Sequence, residues 1–132
     1  MRALVIILSM LITAPVWAGW EKMFDGEEGM SFYIDPATIK KNGDLETVHV
    51  LSDVTLADAQ WKQKYPDGQR SWITLSEFDC KGSERWRQLA VFQYAERMAA
   101  GKIVNAYPQV GNWQEIAGAT NRRRDIRRMV CK

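Results

Sequence analysis

Arg70-Ser-Trp-Ile-Thr-Leu-Ser-Glu-Phe-Asp-Cys80, then Lys81-Gly-Ser83, then Arg85-Trp-Arg-Gln-Leu-Ala-Val-Phe-Gln-Tyr94 is the stretch that decides the fold. Its two arms are rich in β-branched and aromatic residues, and the polar break between them suits a hairpin. Leu89, Phe92 and Ala95 also fit a helical face. The strand reading is preferred for 85–94 because Trp86, Phe92 and Tyr94 share one parity. On the first arm, parity places Trp72, Thr74, Ser76, Phe78 and Cys80 on one face, with Ile73 and Leu75 on the other.

Working outward, further strands are expected on both sides. Met30-Ser-Phe-Tyr-Ile34 is a short β-rich run stopped by Asp35-Pro36, where proline fixes φ and keeps its predecessor out of the helical region. Asn42-Gly43-Asp44 forms a turn, and Glu46–Val54 follows as a strand with Val48, Val50 and Val54 on one parity. The polar segment 55–69, carrying Trp61 and Pro66-Asp67-Gly68, reads as a long surface connection. Lys102–Tyr107 gives a fifth strand after the turn at 99–102, and Trp113–Ile116 a short edge element.

The tail from Thr120 reads as a short helix, with Thr120 or Asn121 as N-cap and Ile126, Met129 and Val130 as its apolar stripe. On a regular helix at about 100° per residue, Cys131 would point well away from that stripe, so the helix is expected to unwind just before it. The fold class is therefore α+β and mainly β: an antiparallel sheet of five to six strands with a C-terminal helix. One such helix cannot cover two partly apolar faces. The remainder must be buried by curvature of the sheet, by the 55–69 connection or by a second copy in a homodimer.

The start of the chain has the form of an export signal. Met1-Arg2 supplies a positive end, Ala3–Ile12 an apolar core, and Ala14-Pro-Val-Trp-Ala18 small residues suited to cleavage after Ala18. The apolar run is shorter than the roughly 20 residues of a transmembrane helix, so no transmembrane span is expected. Residues 1–18 are read as a signal peptide and 19–132 as one domain, periplasmic or secreted. Gly19 stands where a lipid-anchored protein would need cysteine, which leaves surface display open.

Export sets the redox context. The chain has two cysteines, Cys80 and Cys131, far apart in sequence, which favours one disulfide in an oxidising compartment. Metal binding and thiol chemistry are the competing readings. Neither has a C-x-x-C pair behind it, and the chain has a single histidine.

The charge balance, 18 Lys and Arg against 16 Asp and Glu, lacks the signature of a nucleic-acid binder. His49 sits between two valines on a strand and reads as structural. The carboxylates cannot be placed in a common cleft from spacing, and no P-loop, G-x-G-x-x-G or G-x-S-x-G motif occurs. No enzyme, cofactor or metal is expected. For binding, the basic tail is the local candidate: Arg122, Arg123 and Arg124 in the first helical turn, with Arg127 and Arg128 beyond. Positive charge there opposes the helix dipole, so these side chains gain nothing locally. They are either a solvated face paired with acids such as Asp125 or Glu28, or a dock for an anionic partner: a sulfated glycan, an acidic protein or lipid head groups. Trp61 is a second binding candidate, as an aromatic anchor or as a cover for a sheet edge.

Tyr33-Ile-Asp-Pro-Ala-Thr-Ile-Lys-Lys-Asn-Gly43, Thr47-Val-His-Val-Leu-Ser-Asp53, the strand ending Glu-Phe-Asp-Cys80 and the closing Trp113–Cys131 stretch together resemble the surface-adhesin protein E family of Gram-negative bacteria. The resemblance implies an antiparallel sheet of about six strands, a C-terminal helix tethered by a disulfide, frequent dimerisation and no enzymatic activity. It also implies adhesion to host matrix proteins such as laminin and vitronectin. The expected function is an exported binding domain for host or envelope macromolecules; the alternative is a structural periplasmic protein within an envelope assembly.

Overall fold

The computed structural model describes residues 19–118 and 121–132, so the proposed signal segment and Thr120 lie outside the described residues. Seven strands form one antiparallel sheet in which neighbours in sequence are neighbours in space: β1 (Glu21–Asp25), β2 (Met30–Asn42), β3 (Leu45–Val54), β4 (Ser71–Asp79), β5 (Arg85–Tyr94) and β6 (Ile103–Tyr107). A two-residue β7 (Gln114–Glu115) pairs with the start of β5. Among the described residues the α-helices are α1 (Asp58–Lys64) and α2 (Arg122–Val130).

The hairpin of the opening stretch is β4–β5, and its register carries one correction. Leu75 pairs with Ala90 but Ser76 pairs with Gln88, so Leu89 is an extra residue on β5. A bulge of this kind inverts side-chain parity along one strand. Trp86 and Gln88 therefore face α2 together with Val91 and Gln93, while Phe92 and Tyr94 point to the opposite face. The shared parity of Trp86, Phe92 and Tyr94 expected from the sequence does not hold.

Asp35-Pro36 does not end β2. Pairing with β3 runs to Asp35↔His49 and resumes at Lys40↔Thr47, with four β2 residues looped out between. Pro36 has no N–H to offer the ladder, and side chains replace what is lost. The Asp35 carboxylate accepts from the Ala37 N–H, and the Thr38 hydroxyl both donates to the Asp35 carbonyl and accepts the His49 N–H at 2.9 Å. The connection 55–69 contains α1, and β1 is a strand the sequence reading passed over.

The core lies between one sheet face and α2. Ile34, Val48, Val50, Phe78 and Trp86 from the sheet meet Ile126 and Val130 from the helix, with Ile116 closing the side. Asn121 is the N-cap, its side chain accepting the Arg123 N–H at 3.0 Å. The helix ends at Val130, and Cys131 leaves helical geometry with ψ of 61°. That break turns its sulfur to Cys80, with which it forms a disulfide across 51 residues of chain. On the opposite face, fully buried Asp53 and Ser71 hold the 3₁₀ turn Arg97–Ala99 over one end of the sheet. The cover for that end comes from the β5–β6 connection, a source outside the three expected from the sequence.

Candidate binding cleft and relation to known proteins

Where α2 stops covering the sheet, a cleft of about 990 Å³ opens on the same face. Register fixes its floor row by row. Ser52, Trp72 and Gln93 are one cross-strand row; Val50, Thr74 and Val91 the next; Ser76 and Gln88 the third; Phe78 and Trp86 run under the helix. Phe24 and Phe32, whose ring centres are 4.9 Å apart, form one wall. At the far end Tyr65 closes in, its ring 5.9 Å from that of Trp72 and its hydroxyl 3.6 Å from the Met30 sulfur. The 55–69 connection thus covers part of this face, one of the three ways expected from the sequence.

The near end is cationic. Arg122 Cζ lies 5.0 Å from the centre of the Phe24 ring, and Arg123 Cζ lies 3.8 Å from that of the Trp86 ring. Both arginines are exposed and line the cleft, and among the described residues neither takes part in an ion pair. Packing on the indole partly desolvates the Arg123 guanidinium and lowers its pKa, but a guanidinium at neutral pH remains charged. Across the cleft mouth, Asp25 is matched by Lys22 at 2.6 Å and by the Ser31 hydroxyl, which hold its pKa down.

The other tail arginines do different work. Arg124 pairs with Glu84 at 2.8 Å and donates to the Ile116 carbonyl. Arg127 donates to the Asp79 carbonyl at 2.9 Å, tying α2 to the end of β4. Arg128 stays exposed, 3.8 Å from Asp125. Glu28, expected as a partner for this tail, instead binds Lys64 at 2.7 Å. The five arginines grouped by sequence are thus divided: two at the cleft, two in structural contacts and one in solvent. Trp61 does not line the cleft. Its N–H donates to the Gln69 carbonyl and the Arg70 guanidinium stacks on its ring at 4.7 Å, so it braces α1 against its own connection.

Parity in the sequence places Trp72, Thr74, Ser76 and Phe78 on one face, but not Gln88 and Gln93 beside them, which share that face only through the Leu89 bulge. His49 is half-buried on the opposite face, where burial lowers its pKa despite the Asp35 carboxylate nearby. Glu46, Cys80 and Cys131 lie close together, but the two sulfurs are bonded to each other and carry no free thiolate for a metal. The 3.1 Å approach of Glu46 Oε2 to the Cys80 sulfur is for the same reason a contact and not a hydrogen bond.

The fold is an antiparallel sheet clasped by a disulfide to a C-terminal helix, with a cleft beside that helix. The family profile described as surface-adhesin protein E matches residues 20–132, and the chain belongs to that family. Three solved structures of Haemophilus influenzae protein E share the fold. The first superposes with a TM-score of 0.61 at 15% identity, covering 86% of this chain and 84% of that one. Its selenomethionine form gives 0.60 at 13% identity and covers 86% of each chain. A second crystal form gives 0.57 at 15% identity, covering 81% of this chain and 90% of that one. No curated protein sequence matches the chain. Among the described residues, no helix is long and apolar enough to cross a membrane.

Proposed function

We propose that this chain is an exported, non-enzymatic binding module that holds host or envelope macromolecules through the cleft beside α2. The observation that carries the reading is the pair Arg122 and Arg123: two guanidiniums without carboxylate partners among the described residues, fixed by aromatic rings at the mouth of the cleft. A charge held by a ring on a clasped helix loses little entropy on meeting an anion, which favours recognition over mere solvation. Family membership supports an adhesin-like role. Export follows from cleavage after Ala18, with residues 19–132 as the mature domain in the periplasm or outside the cell; an N-terminal mass on exported protein and protease accessibility on intact cells test both points.

The binding test is solid-phase retention of the mature chain on immobilised matrix and envelope fractions. Retention should fall steeply with salt, should be lost in an Arg122→Gln/Arg123→Gln variant and should persist in Arg128→Gln. No retention at low salt overturns the reading.

A structural role within an envelope assembly is the second reading, and the sheet's other face favours it. Ile73, Leu75, Phe92 and Tyr94 are only half-buried there, and Ile103 is 52% exposed on β6. A homodimer would cover part of this surface. Light scattering of a strict monomer at high concentration counts against that.

A further inference from the structure

We infer that the cleft is a site for an acidic oligosaccharide, its carboxylate or sulfate held by Arg122 and Arg123 and its sugar rings laid along the β4 floor toward Trp72. The inference rests on the binding-module reading and narrows it to a ligand class. Three features of the floor carry it.

The first is the order of side chains. From Trp72 to Phe78 the floor runs about 20 Å, at about 3.3 Å per residue. It passes from a half-buried indole edged by Tyr65, over the hydroxyls of Thr74 and Ser76 and the amides of Gln93 and Gln88, to the two guanidiniums. A pyranose ring presents a C–H face that packs on an indole and a rim of hydroxyls that pair with amides and hydroxyls. The Gln93 amide oxygen already accepts from Asn105 Nδ2 at 3.0 Å, which leaves its NH2 group as a donor to the cleft.

The second feature excludes an acyl chain. An apolar ligand on this floor would strip water from the Thr74 hydroxyl and two amides without replacing their hydrogen bonds, at a cost on the order of 1–3 kcal/mol for each group. The third excludes a peptide that adds as a further strand. Strand addition needs a free backbone edge, and the floor is a sheet face whose β3, β4 and β5 are each paired on both sides. It offers side chains only.

Charge selects the acidic subclass. The planar guanidinium fork matches carboxylate and sulfate oxygens, and Arg123 is held in place by Trp86 beneath it. Asp25 on the far wall is already neutralised by Lys22, and Glu27, exposed at the rim and in no ion pair among the described residues, sets one negative charge against the two guanidiniums.

Calorimetric titration of the exported chain with four probes tests this: a glucuronate-containing tetrasaccharide, its sulfated counterpart, neutral chitotetraose and laurate. Both acidic tetrasaccharides should bind, at least tenfold more tightly than chitotetraose, with tryptophan fluorescence changing on binding. Arg122→Gln/Arg123→Gln should remove that preference, and Trp72→Ala should weaken all sugar binding at least tenfold. Because Trp72→Ala removes a large ring from the sheet face, Gln88→Ala and Thr74→Val serve as milder variants with an expected several-fold loss each. Equal binding of neutral and acidic sugars, unchanged affinity in the floor variants, or preference for laurate overturns the inference. Retention of a macromolecular partner without tetrasaccharide binding overturns it while the binding-module reading stands; loss of both overturns both.

Discussion

The Arg97 guanidinium meets the Asp53 carboxylate with two donors, Nη2 at 2.7 Å and Nε at 3.1 Å from Oδ2, while Oδ1 accepts the Met98 N–H at 2.9 Å. Asp53 is fully buried and Arg97 is about half exposed. Removing either partner therefore has unequal consequences. Arg97→Ala leaves a carboxylate buried beside a single backbone donor and should cost about 3 kcal/mol. Asp53→Asn leaves a guanidinium that can turn to water and should cost about 1–2 kcal/mol. Urea unfolding of the two variants checks the order, and an equal loss would refute it.

The same network holds Met98 and Ala99 at positive φ, 56° and 57°, where residues with a Cβ are strained. Ala99→Gly relieves that strain without touching the Asp53 contacts, and should raise stability by a few tenths of a kcal/mol to about 1 kcal/mol. A thermal melt reads this as a rise of a few degrees; a fall would mean that the lost methyl outweighs the relief.

The clasp gives a larger effect. Cys131→Ser opens a loop of 51 residues, and the chain-entropy relation assigns such a closure about 4 kcal/mol. The variant should melt far below the parent, and the parent in strong reductant should approach the variant. Identical melting of oxidised parent and variant would remove the clasp from the stability of the domain.

Arginines in the tail should separate by role. Arg127→Ala removes a donor to the Asp79 carbonyl at the junction of helix and sheet, and should cost about 1–2 kcal/mol. Arg128→Ala breaks only an exposed pair and should change stability by less than about 0.5 kcal/mol. Comparing their urea midpoints separates the two.

His49 supplies a pH signature. Burial lowers its pKa in the folded state, so the unfolded chain binds more protons as pH falls through the ordinary histidine range. Its contribution is complete above about pH 6.5 and is lost as pH falls from there toward the depressed folded value. Between pH 7.5 and 5.5 the urea midpoint should decline more in the parent than in His49→Gln. Parallel slopes would contradict this.

Much of the fold was legible where local chemistry acts alone. An N-cap at Thr120 or Asn121, of which the structure uses Asn121, the Ile126, Met129 and Val130 stripe, the break before Cys131 and the β5 boundaries follow from capping, periodicity and turn residues. What was not legible depends on pairing between distant strands. Leu89 carries no sign in sequence that it is the extra residue of a bulge, yet it decides that Trp86 supports Arg123 while Phe92 faces away. Asp35-Pro36 looks like a stop because proline cannot serve the ladder, and only the Thr38 hydroxyl, returning to His49, shows how β2 continues. Among the arginines, sequence could mark a basic segment but not which members would find Glu84 or the Asp79 carbonyl first.

The bond between Cys80 and Cys131 also changes what a broken backbone means for this molecule. Val110, 61% exposed in the loop after β6, lies inside the covalent ring that the bond closes. A protease cutting there would leave two pieces still joined, with α2 and its two cleft arginines anchored to β4. A domain so built can be nicked in this exposed loop and keep its cleft assembled, and the injury would show as two bands only after reduction.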